Sequence, residues 1–211
     1  MIAVIDFGMG NIHSCLKAIS LYTKDFQLVS DPSLLESPSG IILPGDGAFE
    51  KAMSNLNETG MSDKIKSLVK KGIPLFGICI GFQLLFDNSN ETIKNDSLCQ
   101  GLGLIKGKIR KFIGKSYKVP HMGWNKIKLS SKKEKKILNQ VPDGSYMYFI
   151  HSYRPVEADN SCKIASCNYY DENFPVIVEK ENIFGTQFHP EKSDKEGLKI
   201  LKNFIEITQQ C

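Results

Sequence analysis

No run in this 211-residue chain is apolar for long enough to cross a bilayer. The most hydrophobic stretch, GIPLFGICIGFQLLF, is broken by glycine, proline and glutamine and falls short of the roughly 20 residues a membrane helix needs. The six cysteines (Cys15, Cys79, Cys99, Cys162, Cys167 and Cys211) form no C-x-x-C pair, which argues against a zinc cluster. No basic leader or cleavage site precedes Asp6 in MIAVIDFGMGN, so a disulfide framework is not expected either. A formal charge of +4 is too mild to imply nucleic acid, and no residue pattern resembles a nucleic-acid motif. Internal repeats and Pro-, Gly- or Ser-rich linkers are missing as well. These absences predict one domain over residues 1–211, cytoplasmic, with reduced thiols and neither membrane nor nucleic-acid partners.

What remains is 41% hydrophobic and 24% charged residues, ordinary for a globular fold, set out in short apolar runs. IAVIDF ends in GMGN, and NIHSCLKAISLYT then places Ile12, Cys15, Leu16 and Ile19 on one helical stripe. FQLVS and GIILPG are further strand-like runs, while FEKAMSNLNETGMSDKIKSLVKKG carries helical spacing broken near Gly60. IPLFGICIGFQLLFD repeats the order strand, turn, helix. This alternation predicts an α/β fold with a mostly parallel central sheet flanked by helices.

The second half reads differently. GLIKGKIRKFI, KVPHMGWNKIKL, SYMYFIHSY, CKIASCNYY and FPVIVEKENIFGTQF read as strands, with a hairpin at EKEN, and predict an antiparallel β extension. DKEGLKILKNFIEITQQ closes as an amphipathic helix with Leu198, Leu201, Phe204 and Ile205 on its apolar side. The lysine-rich residues 130–136 read as a solvated turn, and the basic residues alternating with apolar ones over 106–118 as an exposed sheet face.

FGICIGF holds Cys79 between Gly77 and Gly81 at the junction of strand and helix. By itself such a cysteine is well explained as a small buried hydrophobe. A G-x-nucleophile-x-G turn is the alternative, with the thiol held at a helix N-terminus that favours the thiolate. A nucleophile of that kind needs a base. Of the four histidines, His189 in QFHPEKS follows a strand and has Glu191 two residues on, on the same side of an extended segment. That carboxylate can orient the imidazole, as the third member of a triad does.

GICIGFQLLF together with FGTQFHPEKS resembles the class I glutamine amidotransferases. DFGMGN, LPGDGAFEKAM, KVPHMGWN, YFIHSY and LKNF are similar, in that order, to the glutaminase subunits of imidazole glycerol phosphate synthases. The resemblance implies that Cys79 attacks the side-chain amide of glutamine, with His189 as acid and base and Glu191 as its orienting group. It implies an oxyanion hole from the amide of Ile80 and the loop Pro44, Gly45, Asp46, Gly47. Gln83, Glu91 and backbone groups around His151, Ser152 and Tyr153 would hold the substrate. No cofactor or metal is implied. Because the triad spans 79 to 191, nothing is left over to bind an ammonia acceptor, and the resemblance supplies a separate (β/α)8-barrel cyclase subunit, HisF-like, in a heterodimer. Asn11 and Trp124 are the residues expected to face it.

Three residues depart from the family pattern: Asp46 stands where an apolar residue is usual, Phe82 stands where methionine is usual, an exchange between large apolar residues, and Arg154 follows HSY. Asp46 is expected to turn away from the oxyanion, toward solvent or a partner. Two alternatives stay open at this level: a paralogue feeding ammonia to a surface-polysaccharide sugar, and a non-catalytic partner subunit.

Overall fold

The computed structural model describes residues 1–10, 12–93, 97–114, 117–131 and 135–210. In chain order the first half comprises β1 (Ile2–Ile5), α1 (Ile12–Ile19), β2 (Phe26–Val29), β3 (Gly40–Leu43), α2 (Phe49–Glu58), α3 (Met61–Lys70), β4 (Leu75–Ile78) and α4 (Ile80–Leu84). The remainder comprises β5 (Phe86–Ser89), β6 (Cys99–Gln100), β7 (Ile105–Lys111), β8 (His121–Leu129), β9 (Tyr146–His151), β10 (Tyr153–Val156), β11 (Lys163–Tyr169), β12 (Glu172–Lys180), β13 (Ile183–Thr186) and α5 (Asp194–Thr208).

The side chains of β1 divide by parity, as the two-residue period of a strand requires. Ile2 and Val4 enter one core, with Cys15, Ala18 and Ile19 of α1 and Ile200, Leu201, Phe204 and Ile205 of α5. Ala3 and Ile5 enter the other, against α2, α3 and α4. The result is a three-layer sandwich, as the alternating first half predicts. Phe204 of α5 lies 5.1 Å, ring to ring, from Phe76 of β4, and both are fully buried. Burying each such ring contributes roughly 2–3 kcal/mol.

Among the described residues, nine strands form one sheet in the order β2-β1-β3-β4-β13-β12-β11-β8-β9. The pairs from β2 through β13 are parallel, and those from β13 to β9 are antiparallel. A second sheet runs β10-β7-β5-β6. A single residue, Ser152, separates β9 from β10, so the chain passes from one sheet to the other at His151–Tyr153. The loops after β1, β3, β4 and β13 all open at the carboxyl ends of parallel strands, where open α/β sheets bind their ligands.

One expectation is corrected. The helix after Cys79 does not continue through QLLFD; α4 stops at Leu84 and β5 follows. The carbonyls of Leu84 and Leu85 are taken by the amides of Leu102, Leu104 and Ile105, so the chain exchanges helical hydrogen bonds for tertiary ones.

Candidate active site

β4 delivers Cys79 to the mouth of the sheet. Its backbone has φ 54° and ψ −103°, a strained conformation for a residue with a side chain, and its amide is tied to the Thr186 carbonyl at 2.8 Å. The flanking glycines serve close packing. A Cβ on Gly81 would lie 1.8 Å from the Leu43 carbonyl oxygen, and one on Gly77 would lie 2.5 Å from the Gly81 carbonyl oxygen. The strain of the turn therefore sits on Cys79 itself, while the glycines let β3, β4 and α4 crowd around it. The cysteine is 7% exposed.

β13 and the turn after it bring His189 to the same place. Its Nδ1 lies 2.8 Å from Glu191 Oε1, and both side chains are almost fully buried. Burial pushes the imidazolium down, but the Cys79 sulfur and the Glu191 carboxylate outweigh this and carry its pKa up to about 10. Backbone anchors fix the ring: His189 donates its amide to the Tyr148 carbonyl, and Ser193 Oγ donates to the His189 carbonyl. His189 Nε2 has no hydrogen-bond partner of good geometry.

The Pro44–Gly47 loop differs from expectation in two ways. Asp46 turns inward, its Oδ1 3.4 Å from His189 Nε2, although its side chain stays 40% exposed. The amide of Ile80, expected to face an oxyanion, instead points at the Gly45 carbonyl at 3.4 Å. Packing explains this placement. Gly45 is wedged against Ile80 and Phe7, and Gly10, at φ +96°, lets the loop after β1 approach the Asp46 amide so closely that a Cβ would lie 2.6 Å from it.

A cavity of about 380 Å³ opens beside the sulfur. Gln83, Glu91, His151, Ser152 and Tyr153 all line it, together with Asp46, Gly47 and Ile80. Gln83 spends both amide hydrogens within the protein, on the Tyr153 carbonyl at 3.1 Å and on Gln187 Oε1 at 3.0 Å, which leaves its carbonyl oxygen to offer. Glu91 Oε2 accepts the Phe49 amide at 2.9 Å at the start of α2. Burial raises its carboxyl, against that amide and the Lys111 ammonium, which lower it.

The backbone of residues 151–153 is less available than the sequence suggests. The Tyr153 carbonyl accepts from both Gln83 and His151 Nδ1, and the Ser152 carbonyl accepts from Phe112. Since a carbonyl only accepts, His151 Nδ1 carries hydrogen and its Nε2 accepts from His121 Nδ1 at 2.9 Å. Asn125 Nδ2 faces His121 Nε2 at 3.2 Å and completes the chain. Both rings are neutral. Burial holds His121 near 4, and burial with the neighbouring His121 holds His151 near 3.

Asn11 lies outside the described residues. Trp124 is 53% exposed on β8 and does not reach the cavity lining. Arg154 turns into the protein, paired with Glu172 and stacked over the Phe112 ring at 5.2 Å, and so lies away from the cavity. Lys192, Gln187 and Ile150 escaped the sequence reading. Lys192 and Ile150 line the cavity; Gln187 Nε2 and the Ile150 carbonyl lie 4.0 and 3.9 Å from Cys79 Sγ. Lys192 had a signal, following Glu191 directly in QFHPEKS.

Comparison with known proteins agrees with this geometry. A family model described as glutamine amidotransferase class-I matches residues 3–207. The imidazole glycerol phosphate synthase subunit HisH of Geobacillus sp. (strain WCH70) is 42% identical over 99% of this chain and 98% of its own length. The protein of the same name from Bacillus cereus (strain ATCC 14579) is 44% identical over 99% and 96%. Among solved structures, a glutamine amidotransferase crystal structure superposes with a TM-score of 0.74 at 17% identity, covering 99% of this chain and 98% of its own. A PurLQS structure from Thermotoga maritima gives the same TM-score at 18% identity, with 97% of each chain covered. The chain belongs to the class-I glutamine amidotransferase family, among the HisH subunits of imidazole glycerol phosphate synthase.

Proposed function

We propose that the chain hydrolyses glutamine to glutamate and ammonia at Cys79 and passes the ammonia to a HisF-like (β/α)8-barrel cyclase subunit bound as a heterodimer. The observation that carries this reading is the buried line Glu191–His189 beside the strained Cys79, at the edge of a cavity large enough for one amino acid.

In the proposed reaction Cys79 Sγ attacks the side-chain amide carbon, and its proton goes through His189 Nε2 to the departing nitrogen, which leaves as ammonia. The resulting thioester is hydrolysed by a water that gives its proton to His189, releasing glutamate and restoring the thiol. Glu191 holds the imidazole tautomer and balances the imidazolium charge. Glu91 accepts the substrate's α-ammonium, and Gln83 offers its remaining carbonyl oxygen. The oxyanion is held by the Ile80 amide once that amide lets go of Gly45. Its engagement with Gly45 in the isolated chain supports glutamine hydrolysis that stays slow until the partner docks.

Ammonia released into neutral water gains a proton and ceases to be a nucleophile, so the acceptor must lie close. Support for the docking face comes from β8 and β9, which turn Met122, Trp124 and Ile150 outward, with Ile150 also at the cavity. The test is glutamate release with and without a histidine-pathway cyclase subunit and its nucleotide substrate. A large rise only in their presence is expected; no rise, with Cys79 still labelled by a glutamine-analogue electrophile, would overturn the assigned partner.

A further inference from the structure

Asp46 Oδ1, Cys79 Sγ and His189 Nε2 lie within 4.8 Å of one another, and the first and last are 3.4 Å apart. We propose that these three atoms form an inhibitory site for a thiophilic divalent cation, zinc above all, which occupies the centre in place of glutamine.

The donor set fits the ion. Thiolate, imidazole and carboxylate are the ligands zinc takes, and in a tetrahedral centre with its usual bond lengths such atoms stand about 3.4 to 3.6 Å apart. The Asp46 to His189 spacing already has that value. The sulfur, within 4.8 Å of both other atoms, has at most about 1.2 Å of each separation to close, judged from the same bond lengths. His189 Nε2 is buried, without a hydrogen-bond partner of good geometry, and aimed into the gap.

The surroundings fit too. A metal-bound histidine typically gives its other ring N–H to a carboxylate, which fixes the tautomer and raises ligand basicity. Glu191 Oε1, 2.8 Å from His189 Nδ1, stands in that position. The cavity leaves room for a water as fourth ligand. Two anionic ligands neutralise the cation, and because a metal takes thiolate and neutral imidazole, its binding is coupled to proton release.

Asp46 is what separates this centre from a bare cysteine–histidine pair. A pair offers two ligands and holds zinc weakly; the third, anionic ligand comes from a loop whose path is set by Gly10 and Gly45. The cation ties up Sγ and Nε2, the two atoms that the proposed hydrolysis uses, so metal and turnover exclude each other. In this role the ion is an inhibitor and takes no part in the reaction.

The test uses the full chain with Co²⁺ alone and Zn²⁺ alone. Expected are 1:1 binding of Co²⁺ with a thiolate-to-cobalt charge-transfer band that Cys79→Ala abolishes, and protection of Cys79, but not of the other cysteines, from alkylation by Zn²⁺. Asp46→Asn should weaken both effects at least tenfold, with circular dichroism confirming that the variant is folded. A missing thiolate band in the wild type overturns the site. Unchanged affinity in folded Asp46→Asn overturns Asp46 as a ligand, and with it the proposal. The reading rests on the same centre as the proposed glutaminase but fails separately. A chain that binds Co²⁺ through Cys79 and Asp46 yet hydrolyses no glutamine with its partner and chelator present upholds the metal site alone; the reverse result upholds the glutaminase alone.

Discussion

At the residue scale, His121 and His151 make the fold sensitive to acid. Each is neutral when buried, with its pKa held well below the ordinary value of about 6.5. The unfolded chain therefore binds more protons than the folded one below pH 6.5, and stability falls with pH there. The contribution is complete above about pH 6.5 and is lost progressively toward pH 4 and below. At pH 5 the loss is roughly 2 kcal/mol for each ring, at 1.36 kcal/mol per pH unit. Urea unfolding between pH 7 and 4.5 should show this slope in the wild type and a flatter one in His121→Gln/His151→Gln; equal slopes would rule the pair out as its source.

Arg154 shows how a departure read from sequence can mislead. Next to HSY it suggested a different ammonia acceptor, yet its guanidinium is spent on Glu172, the Arg110 carbonyl and the Phe112 ring. Both partners of the ion pair are only 12% exposed, so removing one leaves the other charge nearly buried. Arg154→Ala should cost about 3 kcal/mol, the lower end for a broken buried pair, while KM for glutamine stays within a factor of two. A changed KM in a folded variant would mean that the residue reaches the substrate after all. Asp46 misled in the opposite direction. The cost of a carboxylate beside an oxyanion argued for solvent or a partner, and only the tertiary placement of Gly10 and Gly45 turns it toward His189.

At the element scale, what could be read locally was read. Short apolar runs bounded by Gly, Asn and Pro gave β1, β3, β4 and β13, and the stripe Leu201, Phe204, Ile205 gave α5. The segment FDNS was not legible as a strand, because it carries neither alternation nor β-branched residues. It is extended through pairing with β7 and β6, partners that lie beyond it in the sequence. The same non-locality hid Gln187, whose role depends on Gln83, 104 residues away. Gly81 illustrates the rule from the other side: its residue type was read, while its purpose is contact between β3 and α4. Gly81→Ala places a methyl group against the Leu43 carbonyl, which as backbone cannot turn aside. A loss of about 3 kcal/mol is expected, the upper end for overpacking, with slowed alkylation of Cys79. Wild-type stability in urea would show that the strand and helix can part without cost.

At the scale of the whole molecule, the sheet order decides what faces a partner. Placing β8 and β9 at the far edge, beside the cavity, leaves Met122, Trp124 and Ile150 outward on one face, with Trp124 and Tyr148 opposite each other in register. Aromatic residues half-exposed in such a patch tend to carry binding energy. Trp124 is the chain's single tryptophan, so its emission reports on this face alone. On titration with the proposed cyclase partner, after subtraction of that partner's own signal, the emission should shift to shorter wavelength as the indole leaves water. Trp124→Ala should weaken association tenfold or more and reduce cyclase-stimulated glutamate release in proportion. An unshifted emission from a complex that demonstrably forms would place the docking surface elsewhere and separate the exposed β8–β9 face from ammonia transfer.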